Sequence, residues 1–149
     1  MDSIKIRKVK TTDLVSVYEI HKGKFPKPAS PRYYENLKAI KSSPFYVAID
    51  QDSEDEKVVG FIAVRVKREF IDGVWDSYMS VASLGTSVAK SAPFTNEGVE
   101  KRLIQRVVDD FDNGGFYGIY AELRESSKTS LKCFEELGFT LKSKGIYKD

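Results

Sequence analysis

Apolar residues along this chain recur with two different periods, and the switches between them mark out its elements. Ile4-Lys5-Ile6-Arg7 alternates apolar with polar, as a strand does when one face is buried, and Ile4 and Ile6 are the inward pair. Thr11 or Thr12 followed by Asp13 opens a helix, with the carboxylate near the positive end of the helix dipole. Leu14, Val17, Tyr18 and His21 then fall on one helical face. The run from Lys22 to Arg32 holds three of the five prolines and four positive charges, and reads as a loop. Pro31 starts a second short helix, Tyr33 to Ile40, built on Tyr34, Leu37 and Ile40.

Strands dominate the middle. Phe45 to Asp50 is one, Gln51 to Glu56 is an acidic turn, and Lys57 to Lys67 is a long second strand. Asp72-Gly73 supplies a two-residue hairpin turn, because both residues tolerate positive φ. Val74 onward returns antiparallel as far as Val88 or Lys90, and Gly85 within it signals a bulge or a close backbone approach. After a loop from Ser91 to Glu97, Gly98 to Phe111 is a helix with Val99, Leu103, Ile104, Val107, Val108 and Phe111 on one broad face. Gly118 to Leu123 is another strand. Ser126 or Ser127 caps a last helix whose apolar stripe is Leu131, Phe134 and Leu137. Gly138 stops it in a left-handed conformation, Phe139-Thr140-Leu141 begins a strand, and Tyr147 lies near a final one.

Composition narrows the class. A chain of 149 residues with 41% hydrophobic and 31% charged residues is that of a globular protein, and residues 1–149 read as one domain without internal repeats. A net charge of +2 is too small to argue for nucleic acid, even with Lys22, Lys24, Lys27 and Arg32 in one loop. No apolar run approaches the roughly 20 residues of a membrane span, and Met1 to Lys5 lacks the apolar segment of a signal peptide, so a cytoplasmic location is expected. One cysteine, Cys133, and one histidine, His21, exclude an intramolecular disulfide and argue against a structural zinc site, so no metal is expected. Cys133 reads as a small buried residue, and His21 as a surface or half-buried residue.

Ser127-x-x-Ser130-x-x-Cys133-Phe134-x-x-Leu137-Gly138-Phe139 resembles the C-terminal signature of the GNAT superfamily of acyl-CoA-dependent N-acyltransferases, Asn-x-x-Ala-x-x-(apolar)-Tyr-x-x-Leu-Gly-Phe. The spacing and the Leu-Gly-Phe ending agree; the Asn, Ala and Tyr do not. The element order agrees along nearly the whole chain. The resemblance implies an α/β (α+β) fold with a mixed, mostly antiparallel sheet of six or seven strands flanked by about four helices. It implies acetyl-CoA as cosubstrate, an amine as acceptor, and a possible homodimer.

A strand, a glycine-bearing loop and a helix N-terminus together make an anion site, since unpaired N–H groups and the dipole both favour negative charge. Thr95-Asn96-Glu97-Gly98-Val99-Glu100, continuing to Lys101, is this chain's version of the superfamily's pyrophosphate motif, Arg/Gln-x-x-Gly-x-Gly/Ala. Gly98 matches, whereas Thr95 and Glu100 depart. A carboxylate at Glu100 repels pyrophosphate unless it points away or pairs with Lys101 or Lys128. The resemblance also implies that the fourth strand is bulged and splays from the fifth. Its backbone near Val88, Ala89 and Lys90 is then left to bond pantetheine, with Ser127 and Phe134 on the last helix beside the cosubstrate. Phe134 stands where relatives carry a tyrosine that protonates the leaving sulfur, and phenylalanine cannot donate. Asp76, Glu122 and Tyr120 remain as candidate acid–base groups. The departures also leave open a GNAT-shaped binding module without turnover.

Overall fold

The computed structural model describes residues 4–24, 32, 44–52, 56–88, 95–114, 118–121, 128–142 and 145–148. The elements are β1 (Ile4–Lys8), a 3-10 turn (Thr11–Asp13), α1 (Leu14–Lys24), β2 (Phe45–Asp50), β3 (Lys57–Ile71) and β4 (Val74–Thr86). There follow α2 (Asn96–Gly114), β5 (Ile119–Ala121), α3 (Lys128–Glu136), β6 (Thr140–Lys142) and β7 (Gly145–Lys148). The strands form one seven-stranded sheet in the order β1-β2-β3-β4-β5-β7-β6, antiparallel throughout except between β4 and β5. The helix expected over 33–40 and the loop from Phe25 to Pro31 lie outside the described residues.

Alternation along the strands sorts side chains onto two faces. On one face Phe45, Val47, Ile49, Phe61 and Ala63 bury against Leu14, Val17 and Ile20 of α1. On the other, Tyr46, Ala48, Ile62, Val64, Met79 and Ile119 bury against Val99, Leu103, Val107 and Phe134 of α2 and α3. Polar ties hold α2 to the sheet at its edge. The Arg102 guanidinium donates to the Ile4 carbonyl at 2.6 Å, and the Arg106 guanidinium lies 4.7 Å from the Tyr46 ring centre. Tyr46 donates its hydroxyl to the Asp110 carboxylate. Burial, reinforced by that hydrogen bond and the Asp110 charge, pushes the phenol up to about 12.

The entry to α1 is fastened by a buried carboxylate. Asp13 accepts two hydrogen bonds from Arg7, at 2.7 and 3.0 Å, and one from the Lys10 N–H at 2.7 Å. Burial pushes the Asp13 carboxyl up, but these bonds and the Arg7 charge together outweigh it and hold the group below the usual carboxylate range. A depressed folded value means stability that is present above the unfolded pKa of about 4 and lost as pH falls through the folded value. Asp13→Asn is therefore expected to cost about 2 kcal/mol near pH 7. The gap in urea midpoint between variant and wild type should shrink as the pH drops below about 4. A gap unchanged at pH 3 would contradict this.

Two glycines mark special backbone. At the end of α3 the Phe139 N–H bonds the Phe134 carbonyl (3.0 Å) and the Gly138 N–H bonds the Glu135 carbonyl (3.0 Å), with Gly138 at φ 94°. This is a Schellman closure, and its usual apolar contact is present in the Phe134 and Phe139 rings, 4.9 Å apart. Gly85 is not a bulge. It pairs in register with Phe61, and a Cβ there would stand 2.9 Å from the Phe61 ring and 3.1 Å from Ile20. Its small size lets α1 approach the sheet. The bulge falls at Ala82, where Ser83 and Val81 on β4 oppose the adjacent residues Ala63 and Val64 on β3.

The β3–β4 hairpin turns on Asp72 (φ 50°) and Gly73 (φ 82°), as the Asp-Gly pair requires. Strand β3 runs on to Ile71, past the Lys67 end expected from the sequence. Pairing with β2 stops at Ala63 and pairing with β5 spans only Met79 to Val81. Among the described residues, the hairpin from Lys67 to Tyr78 therefore has no third strand beside it.

Candidate active site

The site is built around the bulge of β4 beside β5. The two run parallel through Met79↔Ile119, Ser80↔Tyr120 and Val81↔Ala121, and among the described residues their pairing ends there. Ala82 bulges immediately beyond, and β4 continues to Thr86 along β3. The side chain of Thr86 lies on the α2 face, because that of its neighbour Gly85 would point at Ile20 on the α1 face. Thr86 Oγ1 is buried and has no hydrogen-bond partner among the described residues. A buried hydroxyl left unpaired costs about 1–3 kcal/mol, so it is suited to a polar ligand here.

The N-terminus of α2 stands on the same face. Thr95 caps it: its Oγ1 accepts the Gly98 N–H at 3.0 Å and its carbonyl accepts the Val99 N–H at 3.0 Å. The Asn96 side chain accepts the Val88 N–H at 3.0 Å, which ties the chain just past β4 to the helix start and takes up the Val88 donor expected to be left for pantetheine. Thr95 thus takes up one first-turn donor and leaves the amides of Asn96 and Glu97 at the helix end.

Glu100 points away from that end. It is 1% exposed, lies between α2 and α3, and is the acceptor of a contact from the Cys133 thiol at 3.8 Å. Burial, with the charges of Glu100 and Glu97, pushes the thiol up to about 12, so Cys133 is no nucleophile. Lys101 lies in a charge network at the α2–α3 surface. It pairs with Glu136 and, at 3.7 Å, with Glu97, while Lys132 bridges the same two carboxylates.

On the opposite face His21 departs from the sequence expectation. It is 8% exposed, lies 6.4 Å from the Phe61 ring in a stacked arrangement, and meets the Ser83 hydroxyl through Nδ1 at 3.2 Å. The close approach of α1 over Gly85 seats it there. Ser83 is the residue after the bulge, so an imidazole sits directly behind it. The sequence placed His21 on the apolar face of α1; the available signal was its helical alignment with Leu14 and Val17.

The three acid–base candidates fare differently. Asp76 lies on the exposed part of the hairpin opposite Glu69, with its carboxylate bonded to the Ser77 N–H at 2.8 Å. It is five residues before Val81, about 17 Å along the strand, and the structure does not bring it to the bulge. Tyr120 shares the α1 face, but its ring packs against Tyr78 and its hydroxyl lies back over Gly118, away from the β4 bulge. Glu122 lies outside the described residues, as do Ala89, Lys90 and Ser127. Phe134 is fully buried in the core. Among the described residues no group of acidic, histidine or cysteine side chains could hold a metal, and no helix is long and apolar enough to cross a membrane.

The profile of the acetyltransferase (GNAT) family matches residues 14–139. Among solved structures, Ard1 from Thermoplasma volcanium superposes with a TM-score of 0.78 at 15% identity, covering 99% of this chain and 97% of that one. Naa50 from Arabidopsis thaliana, in complex with the bisubstrate analogue CoA-Ac-MVNAL, gives 0.76 at 17% identity, with 99% of each chain covered. The ribosomal-protein-S18-alanine N-acetyltransferase from Escherichia coli gives 0.70 at 15% identity, covering 97% of this chain and 89% of that one. At these identities the likeness shows the fold. No curated protein matches the sequence.

Proposed function

Because the chain belongs to the acetyltransferase (GNAT) family, we propose that it transfers an acetyl group from acetyl-CoA to a primary amine by direct attack on the thioester. The observation that carries this reading is the β4 bulge at Ala82, beside the N-terminus of α2 and the Thr86 hydroxyl that has no partner among the described residues. The residues fit the cosubstrate. The Asn96 and Glu97 amides favour its pyrophosphate, and Glu100 turns inward, away from contact with it. Thr86 and the backbone of β4 beyond Val81 suit its amide-bearing arm.

With the cosubstrate on the α2 face, the amine enters from the α1 face, where Ser83 and His21 stand. Ser83 Oγ takes a proton from the ammonium as its own proton passes to His21 Nδ1. The neutral amine attacks the carbonyl carbon, a C–N bond forms and the C–S bond breaks. The sulfur leaves with the electron pair and takes the second proton released from the amine nitrogen. The likeness to Naa50, captured with a peptide-bearing analogue, and to the S18-alanine enzyme supports a peptide α-amine as acceptor.

Calorimetric titration with acetyl-CoA, repeated on Gly98→Trp, tests the reading. Gly98 is half-buried at the helix start, so an indole there blocks the anion site. Micromolar binding is expected in the wild type, weakened at least about 30-fold in the variant, a loss of about 2 kcal/mol. Absence of binding at millimolar acetyl-CoA would sink the transferase reading. A second reading, a CoA-binding module without turnover, is favoured by Thr95, which already occupies the Gly98 N–H. Binding without acetylation of any peptide in an N-terminal panel would mark it.

A further inference from the structure

Strand β1 ends the sheet, so among the described residues one of its sides has no strand beside it. Between that side and the middle of α2 lies a cleft of about 410 Å³, a size usual for small-molecule sites. Ile4, Ile6, Gln51, Arg102, Arg106 and Asp109 line it. It is separate from the helix start that carries the candidate cosubstrate site. Arg102 and Asp109 stand about 6 and 16 Å along the helix from Gly98.

The strand supplies both an apolar floor and a polar edge. The Ile4 and Ile6 side chains lie on the α2 face and pack with its core. The Val9 N–H bonds the Phe45 carbonyl on β2 at 2.9 Å, so by alternation Arg7 and Lys5 also turn their amides toward β2. Ile4 and Ile6 turn theirs out of the sheet. Accordingly the Ile4 carbonyl accepts from the Arg102 guanidinium at 2.6 Å, and the Ile6 N–H points the same way.

Arg106 is held ready for a planar anion. Its guanidinium lies 4.7 Å from the Tyr46 ring centre, and the Tyr46 hydroxyl donates to Asp110, which fixes the ring. Stacking on a ring pre-organises the N–H fork, whose geometry matches a carboxylate. Arg102 is one helical turn earlier, anchored by its bond to Ile4.

The charge balance selects the ligand. Lys5 also borders the cleft, but alternation sends its side chain from the opposite face of β1. Asp50, beside Gln51, accepts the Asp52 N–H at 3.0 Å and does not line the cleft. Arg102 and Arg106 therefore face Asp109 alone, a balance of one positive charge. Gln105 donates to one Asp109 oxygen at 2.8 Å and ties that carboxylate to the helix surface. One negative charge neutralises such a cleft, whereas a second would meet Asp109 as a repulsion.

We infer that this cleft binds a small monocarboxylate, with its carboxylate on the Arg106 fork beside Arg102 and its apolar body over Ile6. The inference does not rest on the acetyltransferase reading.

Phenylpropionate, titrated into the isotope-labelled full chain at low salt and followed by amide NMR, is the test. The Ile4, Ile6 and Gln51 backbone peaks and the Gln105 side-chain peak should shift together. The dissociation constant should be about 0.1–1 mM, the range for a ligand of roughly a dozen heavy atoms. Arg106→Gln should weaken binding at least about tenfold, as loss of one charged hydrogen-bonded pair does. Arg106→Lys should recover only part of it, since lysine keeps the charge and loses the planar fork. Gln51→Glu adds a second acid to the lining and should weaken binding about threefold or more. Residues 106 and 51 are exposed, so all three variants should keep the wild-type melting temperature. Neutral phenylpropanamide should leave the peaks in place, and phenyl phosphate should bind more weakly than the carboxylate.

Unshifted peaks up to about 10 mM, tenfold above the expected range, would overturn the inference. So would shifts confined to Asn96–Gly98, where a helix start favours any anion. Equal binding by Arg106→Gln or by the neutral amide would remove the guanidinium from the site, and tighter binding of phenyl phosphate would overturn the carboxylate assignment.

Discussion

His21→Gln is expected to lower kcat for acetyl transfer by about 10²- to 10³-fold while leaving acetyl-CoA affinity within about twofold, measured by initial rates and calorimetry. Glutamine is close in size and retains a polar group that can meet the Ser83 hydroxyl, so the packing against Phe61 and the helix position should survive. What it lacks is a nitrogen able to take a proton in neutral solution. The rising limb of the pH–kcat profile, which reports the base, should therefore vanish in the variant. Ser83→Ala should fall similarly, and the double variant should be no worse than either single one, because two groups in one relay fail together. His21→Ala is the less informative change: it opens space beside Phe61 and confounds stability with chemistry. Wild-type kcat in His21→Gln would remove the histidine from the mechanism and leave the proton to water or to a group outside the described residues.

That prediction concerns a residue whose neighbourhood one strand or helix cannot disclose. Helical period put His21 on the same face as Leu14 and Val17, but its burial depends on what α1 rests against, and that is set by Gly85 on a strand more than sixty residues later. The β4 bulge is hidden for the same reason. A bulge is a mismatch in count between two strands, so Gly85 attracted the reading while Ala82, with no local mark, carries the extra residue. Glu100 looked hostile to phosphate because a helix start was visible and the direction of the side chain was not; packing against α3 turns it inward. From sequence the strand ends at Lys67, where Lys67-Arg68-Glu69 breaks the apolar alternation, yet β3 runs on to Ile71. Such a break is what a ribbon leaving the sheet looks like once its burial ends. By contrast, Asp72-Gly73 and Gly138 were legible because their conformations are dictated by backbone sterics and need no distant neighbour.

The same locality makes the Leu137-Gly138-Phe139 ending a sharp test of what holds α3 in place. Phe134→Ala is expected to destabilise the fold by about 3–5 kcal/mol and to lower the melting temperature by about 10 °C, followed by circular dichroism. Phe134 is fully buried, and its ring has two roles at once. It packs into the core formed by α2 and the sheet, and it is one half of the apolar contact with Phe139 that accompanies the Schellman closure. The backbone bonds from Phe139 and Leu137 to the Phe134 carbonyl do not need the side chain, and Gly138 still supplies the left-handed residue. Loss in the variant therefore reports packing, with the helix stop intact. Phe134→Leu refills most of the space and should cost about a third as much, within the range for apolar swaps that nearly conserve volume. If alanine and leucine cost the same, the aromatic contact with Phe139 would be the dominant interaction. If alanine lowered the melting temperature by less than about 3 °C, well under the value for a buried ring, α3 would owe its position chiefly to the charge network of Lys101, Lys132, Glu97 and Glu136 on its other side. Exposed ion pairs of that kind are worth a few tenths of a kcal/mol each, too little to replace a lost core ring.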